Sequence, residues 1–333
     1  MSQLILVTGA GGFIGGQLVK YLEQQGAQIR AVDCKLFDNW YFRSSGAENY
    51  VCDLQKLESC YQVTRGVDEV YNLAADMGGM GFIEHNKALC MLSVLINTHL
   101  LVAARDNNVS RFFFSSSACV YPDYRQQDSQ VEGLKESNVY PAMPEDGYGW
   151  EKLFSERMCR HFREDFGLQT RIARYHNVYG PFGTWDGGRE KAPAAISRKV
   201  ALAMLNGQKE IEIWGDGEQT RSFTYIDDCL QGTEMLMRSE FVEPLNIGSD
   251  EMVSINQLVD VVEDIAGVKL KRVYNPTAPK GVRGRNSENT LIREVLGWAP
   301  SINLRNGMEK TYSWIYDQVK ARAEGRRFVA AYE

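Results

Sequence analysis

The stretch Leu4-Ile5-Leu6-Val7-Thr8-Gly9-Ala10-Gly11-Gly12-Phe13-Ile14-Gly15 decides the fold of this chain. Its leading apolar residues predict a buried strand, and apolar residues then recur every four positions until Gly26, which predicts a helix. The regularly spaced glycines let the turn tighten, let backbone approach a pyrophosphate and let the helix pack close to the strand. The stretch therefore predicts a dinucleotide site at the helix N-terminus. The predicted cofactor contacts within it are Gly9, Gly12, Phe13, Ile14 and Gly15.

The segment from Gln28 to Val32 predicts the next strand, and Asp33 closes it. An acidic residue there suits the ribose 2′-hydroxyl of NAD and would repel the 2′-phosphate of NADP, so NAD is the predicted cofactor. Lys35 leaves NADP open as an alternative. Asp53 follows the point where a third strand should end and is predicted to reach the adenine; an exposed loop aspartate is the alternative.

Strand and helix patterns alternate over the first half of the chain. Strands are predicted at 69–73, 111–115 and 168–174, and helices at about 88–106 and from Tyr148 to Gly167. Such alternation predicts an α/β fold, here a Rossmann-type doubly wound parallel sheet. After Arg174 the alternation loosens, which indicates a smaller, interleaved C-terminal substrate domain. The predicted domains are 1–175 plus about 220–249 for NAD binding, and 176–219 plus 250–333 for the substrate.

Tyr148 and Lys152 form a candidate acid/base pair. Residues four apart share a helix face, so the lysine ammonium can hold the phenol pKa below its free value of about 10. The apolar strand 111–114 runs into three serines, which places Ser117 and Cys119 at a strand's carboxyl end, where open α/β sheets bind ligands. Two plainer interpretations stay open, because a Tyr-x-x-x-Lys spacing also occurs in ordinary helices and most cysteines are buried packing thiols.

The composition argues against several other classes of protein. The chain has 333 residues, 44% of them hydrophobic, and its net charge of -6 argues against a nucleic-acid partner or an anionic membrane surface. Seven scattered cysteines indicate reduced thiols, and four histidines show no metal-ligand spacing, so no metal is predicted. We recognise no signal-peptide pattern and no apolar run long enough to span a bilayer. We therefore expect a soluble, cytoplasmic protein.

The glycine turn, Ser117 beside Cys119, and the Tyr148/Lys152 pair together resemble the extended short-chain dehydrogenase/reductase family. The resemblance implies a bound nicotinamide cofactor, a nucleotide-sugar substrate and a homodimer formed through the Tyr148 helix and the helix near 88–106. Five stretches are similar to those of family members that invert GDP-mannose at two sugar carbons, C3 and C5: 75–82, 117–119, 187–195, 219–223 and 282–287.

Three segments match that family poorly. They are the loop from about Tyr124 to Glu145, residues 201–212 and the C-terminal tail. Any difference in chemistry or sugar choice is expected to arise through the first two.

The resemblance implies a cycle of oxidation, inversion and re-reduction. Tyr148, as phenolate, takes the proton of the sugar C4 hydroxyl while a hydride passes to NAD. Ser117 hydrogen-bonds the C4 oxygen. Lys152 and the oxidised nicotinamide stabilise the phenolate. The C4 ketone acidifies the protons at C3 and C5, and Cys119 and Lys191 act as acid and base on opposite faces of the sugar. The expected products are GDP-L-galactose and GDP-L-gulose, with no net redox change.

Cys119 separates this interpretation from others in the same family. In the simple 4-epimerases its position is usually threonine, and the 4,6-dehydratases carry an acidic residue where this chain has Ala118. A nucleotide-sugar 4-epimerase and a non-catalytic dinucleotide-binding sensor are the alternatives. Asn177, Arg221 and Arg285 are expected to contact the diphosphate and nucleotide, with surface salt bridges as the alternative for the arginines. The full set of expected substrate contacts is Met77, Gly78, Ser117, Ala118, Cys119, Asn177, Glu190, Lys191, Ala192, Gln219, Arg221, Ser222 and Arg285.

Overall fold

A parallel sheet of seven strands lies at the centre of the structure, a computed structural model that describes residues 3–326. The strands, in chain order, are β1 (Leu4–Thr8), β2 (Gln28–Asp33), β3 (Glu48–Val51), β4 (Glu69–Asn72), β5 (Arg111–Ser117), β6 (Gln169–Tyr175), β7 (Val178–Tyr179), β8 (Glu210–Trp214), β9 (Thr220–Ser222), β10 (Thr224–Tyr225), β11 (Leu245–Ile247), β12 (Met252–Ser254), β13 (Lys271–Asn275) and β14 (Gly284–Arg285). The central sheet has the order β11-β6-β5-β4-β1-β2-β3, and all neighbours in it are parallel. The strand order reverses at β1, so the predicted doubly wound α/β fold is confirmed.

Helices cover both faces of the central sheet. They are α1 (Phe13–Gln24), α2 (Leu57–Thr64), α3 (Met80–His85), α4 (Lys87–Met91), α5 (Ser93–Asp106), α6 (Tyr148–Phe166), α7 (Ala192–Asn206), α8 (Ile226–Arg238), α9 (Ile255–Ala266), α10 (Thr290–Leu296) and α11 (Leu304–Ala323). Leu6 and Phe112 belong to the apolar cluster shared with α2, α5 and α6, whereas Ile5 and Phe113 belong to the cluster shared with α1 and α8. Because successive strand residues face opposite sides, a strand buried on both faces reads as a continuous apolar run.

The glycine turn brings the N-terminus of α1 against β1. A Cβ added at Gly15 would lie 2.1 Å from the carbonyl oxygen of Gly9, so a larger residue would push the helix away from the turn. The helix itself ends at Gln24, slightly before the predicted end at Gly26. The close approach of helix and strand therefore depends on the absence of a side chain at position 15.

Three small sheets lie outside the central one. They are β7 with β10, β9 with β12 and β14, and β8 with β13. β9 and β10 fall in the stretch assigned by sequence to the first domain, yet they pair with strands of these small sheets, whereas β11 joins the central sheet. The predicted domain boundaries stay predictions, and positions 1–2 and 327–333 of those ranges lie outside the described residues.

The stretch Lys87–Asp106 is long and apolar enough to cross a membrane by length and composition alone. The expectation that no apolar run reaches this length was therefore wrong. Leu100 and Leu101 of this stretch are fully buried against the central sheet, and Asn97 Oδ1 accepts a hydrogen bond from Asn72 Nδ2 of β4 at 3.1 Å. Core helices of soluble proteins pass the same test, so the stretch carries no membrane assignment.

Helix α6 begins at Tyr148 and ends before Gly167, as predicted. Its apolar stripe, formed by Phe154, Met158 and Phe162 at a spacing of four residues, divides between two environments, because Phe162 is buried in the core while Phe154 is 51% exposed. The stripe therefore does not serve a single surface.

Candidate active site

A cavity of about 630 Å³ opens at the carboxyl ends of β1, β2, β4 and β5. This is the edge at which doubly wound sheets bind dinucleotides, and the glycine turn presents backbone N–H groups there without side chains in the way, which fits a pyrophosphate. All residues predicted to contact the cofactor line this cavity: Gly9, Gly12, Phe13, Ile14, Gly15, Asp33, Asp53, Tyr148 and Lys152.

Asp33 lies at the end of β2 and is 7% exposed. Its Oδ2 accepts a hydrogen bond from the Gly11 backbone N–H at 3.0 Å, and its Oδ1 accepts one from the Lys35 backbone N–H at 2.9 Å. These bonds fix the carboxylate in the cavity wall, where it can accept from ribose hydroxyls. The Lys35 ammonium lies 3.4 Å from the Gly11 carbonyl oxygen, so it is held against the glycine turn. Asp53 is exposed at the cavity rim.

A second cavity, of about 340 Å³, adjoins the first. The two form one continuous cleft, because both are lined by Met77, Gly78, Ser117, Tyr148, Tyr175 and Lys191. The predicted substrate contacts that line the second cavity are Met77, Gly78, Ser117, Ala118, Cys119, Asn177, Glu190, Lys191, Ala192, Gln219, Arg221 and Arg285.

The glycine-rich loop after β4 brings the segment that carries Lys191 to the end of β5. The Gly79 backbone N–H donates to the Arg189 carbonyl oxygen at 2.9 Å, and a Cβ at Gly79 would lie 2.4 Å from the Glu190 carbonyl oxygen. Arg189 Nη1 also lies 2.5 Å from Asp76 Oδ1. The loop is thus both a packing turn and a wall of the cleft.

Tyr148 and Lys152 lie together at the start of α6, with Lys152 Nζ 5.4 Å from the centre of the Tyr148 ring. The predicted lowering of the phenol pKa is wrong: burial raises the pKa of Tyr148 well above its usual value, and the charges of Cys119 and Glu151 raise it further. A hydrogen bond with Ser117 opposes that rise in pKa. The Lys152 ammonium is buried 3.6 Å from the Glu151 carboxylate, which compensates part of its positive charge.

Cys119 and Lys191 face the second cavity from two different elements, the end of β5 and the start of α7. Burial raises the pKa of the Cys119 thiol, the Glu145 carboxylate raises it further and the Arg285 guanidinium lowers it. Burial lowers the pKa of the Lys191 ammonium, and the charge of Cys119 opposes that change. Burial thus disfavours the charged form of both groups, and a thiol and an amine that line one cavity suit proton transfer.

Arg221 and Arg285 place two guanidinium groups in the same cavity. Arg221 donates to the carbonyl oxygens of Thr220 and Val282, both at 2.6 Å, and Arg285 donates to Cys119 Sγ at 3.3 Å. No carboxylate within residues 3–326 forms an ion pair with either arginine, so neither is a surface salt bridge of that part of the chain. Burial, with the charge of Arg285, lowers the pKa of Arg221 to about 9. Cations that line a cavity without an anionic partner favour an anionic ligand.

Ser222 is the predicted substrate contact that lines neither cavity. Its side chain is fully buried, and its carbonyl oxygen accepts from Asn177 Nδ2 at 2.9 Å. Since neighbouring strand residues face opposite sides, Arg221 faces the cleft and Ser222 packs behind it. Conversely, three acidic residues of the second cavity were missed: Asp123, Glu145 and Glu212. Asp123 and Glu145 belong to the polar loop after β5, where no periodicity indicates which side chains point inward, and Glu212 lies on β8.

The comparison with known proteins agrees with this cleft. The sequence model of the NAD dependent epimerase/dehydratase family matches residues 5–248. A GDP-mannose 3,5-epimerase from Oryza sativa subsp. japonica is 48% identical over 96% of this chain and 84% of the relative. The structure of a UDP-glucose 4-epimerase from Thermotoga maritima with UDP-glucose is 27% identical, with a TM-score of 0.85, and covers 95% of this chain and 100% of that one. A UDP-glucuronic acid 4-epimerase from Bacillus cereus, solved with UDP-glucuronic acid and NAD, is 26% identical with a TM-score of 0.81, over 95% of this chain and 99% of that one. The family match covers most of the chain, and the glycine turn, Asp33 and the Tyr148/Lys152 pair share one cleft. The chain therefore belongs to the NAD-dependent epimerase/dehydratase family.

Proposed function

We propose that the chain inverts GDP-mannose at C3 and C5, giving GDP-L-galactose and GDP-L-gulose, by transient oxidation at C4. The observation that carries this proposal is a second acid/base pair, Cys119 and Lys191, which lines the cleft beside Ser117 and Tyr148. An enzyme that only oxidises and re-reduces C4 does not need such a pair. The 48% identity to a GDP-mannose 3,5-epimerase supports the same assignment.

The oxidation at C4 uses the groups around Tyr148. Bound NAD supplies the hydride acceptor, the hydride for the later reduction and a positive charge. The Tyr148 hydroxyl exchanges a proton with the sugar C4 hydroxyl, and Ser117, which lines the cleft with Tyr148, hydrogen-bonds and orients that oxygen. Burial disfavours the phenolate form of Tyr148. The Lys152 ammonium lies near the ring and carries the opposite charge, so it acts against burial and lowers the free energy of the phenolate.

The inversion uses Cys119 and Lys191. The C4 ketone acidifies the protons at C3 and C5, so a modest base can remove them. Cys119 lies in the turn just after β5 and Lys191 just before α7, and groups from separate segments can approach a sugar from two sides. One of them removes a proton and the other delivers one to the opposite face.

Arg221 and Arg285 suit the diphosphate of a nucleotide sugar. Their guanidinium groups can form charge-assisted hydrogen bonds with it, which are stronger than bonds between neutral groups. The absence of a carboxylate partner for either arginine within residues 3–326 leaves that charge for the substrate.

The proposal is tested by incubating purified protein with GDP-mannose and catalytic NAD in deuterium oxide, followed by proton NMR. We expect the H3 and H5 signals to disappear and galactose- and gulose-type spectra to appear. Cys119→Ser is expected to abolish inversion at C5 while NAD still binds. Recovery of unlabelled GDP-mannose by wild-type protein that binds NAD would disprove the proposed function.

A nucleotide-sugar 4-epimerase is the second candidate, because the similar Thermotoga maritima structure is such an enzyme. The same NMR assay with UDP-glucose separates the two. A 4-epimerase would convert UDP-glucose at C4 without incorporating deuterium at C5, and Cys119→Ser would retain that activity.

The active form is proposed to be a homodimer. Seven large apolar side chains are exposed on α4, α5 and α6 and at Leu92, which joins α4 to α5: Leu89, Met91, Leu92, Leu95, Trp150, Phe154 and Phe166. Exposed apolar patches of this kind are typical of interfaces between subunits. Light scattering after size exclusion is expected to give twice the chain mass, and Phe154→Lys should shift it toward the monomer. A wild-type monomer would contradict the proposal.

We further propose a cytoplasmic location. All seven cysteines are free thiols, which agrees with a reducing compartment. Fractionation of cells that express the tagged chain would test this.

A further inference from the structure

Arg189 lies in the short segment that carries Lys191 into the cleft, and the chemistry described above does not use it. The segment begins at Gly187 and Gly188, which have φ values of +92° and +85° and no heavy atom within 4 Å of an added Cβ. Glycines in such open surroundings restrict the backbone little. The position of Lys191 therefore depends on α7, which begins at the next residue, and on the contacts of residues 189–190.

The Arg189 guanidinium contacts the wall of the cleft that the loop after β4 and helix α3 form. Its Nη1 lies 2.5 Å from Asp76 Oδ1 and 3.4 Å from the Met77 carbonyl oxygen. Its Cζ lies 3.7 Å from the centre of the Phe82 ring. The Asp76 backbone N–H donates to Ser93 Oγ of α5 at 3.0 Å, so the partner of the guanidinium is itself tied to a helix of the central sheet. One side chain thus joins the segment to this wall by an ion pair and a cation–π contact.

The backbone of Arg189 contacts the same loop. The Gly79 N–H donates to the Arg189 carbonyl oxygen at 2.9 Å, and a Cβ added at Gly78 would lie 3.2 Å from Arg189 Cα. The two loops therefore touch along their backbones two residues before Lys191. The Lys191 ammonium forms no hydrogen bond or ion pair within residues 3–326, so no polar contact of its own fixes its direction.

We propose that Arg189 is a positioning residue: through Asp76 and Phe82 it holds the backbone of Lys191 against the loop after β4 and so directs the amine into the cleft. The inference rests on the proposed function, in which Lys191 exchanges a proton with the sugar carbon. Without these contacts the segment can turn about its two glycines. A displacement of about 1 Å in a reacting group lowers a rate about 100-fold, so a side chain outside the chemistry can control the inversion.

The first experiment measures the contact itself and does not need turnover. Hydrogen exchange of the Gly79 N–H, resolved by electron-transfer fragmentation, reports separation of the two loops, because the Arg189 carbonyl oxygen protects this group. Arg189→Ala removes the ion pair and the ring contact but keeps the carbonyl, so exchange should be about 5- to 10-fold faster. Asp76→Ala removes the ion pair alone and should give about a 2- to 5-fold increase. Arg293→Met breaks an exposed ion pair with Asp250 outside the cleft, and this matched control should leave the rate unchanged.

The second experiment separates the oxidation at C4 from the inversion. Formation of bound NADH after rapid mixing with GDP-mannose reports the oxidation, which uses Tyr148 and does not need Lys191. Uptake of solvent deuterium at C3 and C5 reports the inversion. Arg189→Ala should lower the rate of deuterium uptake about 10-fold or more, while bound NADH forms at the wild-type rate. Arg189→Lys can still pair with Asp76 and should restore part of the uptake.

The outcomes distinguish this inference from the proposed function. Asp76 and Arg189 are 30% and 44% exposed, so the variants are expected to fold, which urea denaturation checks. An unchanged Gly79 exchange rate in Arg189→Ala would overturn the inference while the proposed function stands. Faster exchange with wild-type deuterium uptake would also overturn it, as would an equal loss of NADH formation and deuterium uptake, which a general structural effect predicts. If Gly79 exchange responds as expected but wild-type protein takes up no deuterium from GDP-mannose, the proposed function fails and the contact between the loops stands.

Discussion

Gly15→Ala is expected to separate α1 from the glycine turn and to weaken NAD binding. The added Cβ would lie 2.1 Å from the Gly9 carbonyl oxygen, whereas ordinary contacts begin at 3.4 Å, so the helix must retreat by about 1.3 Å. Overpacking of this kind costs about 1 to 3 kcal/mol of unfolding free energy. The N–H groups that face the pyrophosphate move with the helix. Loss of one charge-assisted hydrogen bond, about 1.5 to 3 kcal/mol, raises the Kd for NAD by about 10- to 150-fold.

Isothermal titration with NAD and urea denaturation of the same preparations measure the two effects separately. Gly26→Ala is the matched control, because Gly26 has a φ of +85° and no heavy atom lies within 4 Å of an added Cβ. That variant should lose about 1 to 2 kcal/mol of stability through backbone strain while its NAD affinity stays at the wild-type value. Wild-type NAD affinity in Gly15→Ala would refute the reasoning, because the site would then not depend on the close approach of α1.

Three further predictions address the cleft and the core. Tyr148→Phe should lower kcat at least about 100-fold while NAD still binds, since the proton-exchanging hydroxyl is lost; full turnover in a coupled or NMR assay would contradict the assignment. Arg221→Met should raise the Kd for GDP about 10-fold or more in calorimetry, whereas Arg283→Met, which removes an exposed ion pair with Asp216, should not; equal effects would show that Arg221 is structural. Burial lowers the pKa of His176 from 6.5 to about 3, so as pH falls the unfolded chain takes up a proton before the folded chain does. The contribution of neutral His176 to the free energy of unfolding is complete above pH 6.5 and decreases as pH falls below that value. About 2 kcal/mol should be lost by pH 5, as measured by urea denaturation, and His176→Gln should lose correspondingly less; an unchanged slope would argue against this site.

Much of the cofactor half of the cleft could be predicted because its residues act on near neighbours. Gly15 must accommodate a strand and a helix only a few residues away, and Asp33 follows directly from the end of β2. The substrate half was predicted less completely. Ser222 was assigned to the cleft with Arg221, but strand alternation turns it to the other side, and the sequence of β9 alone does not indicate which side faces a ligand.

The pKa of the Tyr148 phenol depends on the tertiary structure more than on the spacing of Tyr148 and Lys152 in the sequence. The position of Lys152 one helical turn after Tyr148 predicted a lowered phenol pKa, yet burial raises it. Desolvation depends on every segment packed around the hydroxyl, so a local sequence pattern does not predict it.

By itself, the sequence determined the β1–α1 unit, the doubly wound α/β class and the pairing of Tyr148 with Lys152, because the spacing of apolar residues and glycines acts over a few positions. Only the tertiary structure decided that Lys191 from the start of α7, Cys119 just after β5 and Glu145 just before α6 line the same cavity. These arrangements arise from packing between distant segments. Burial and opposing charges there set which group holds a proton, and neither is encoded in any one stretch of the chain.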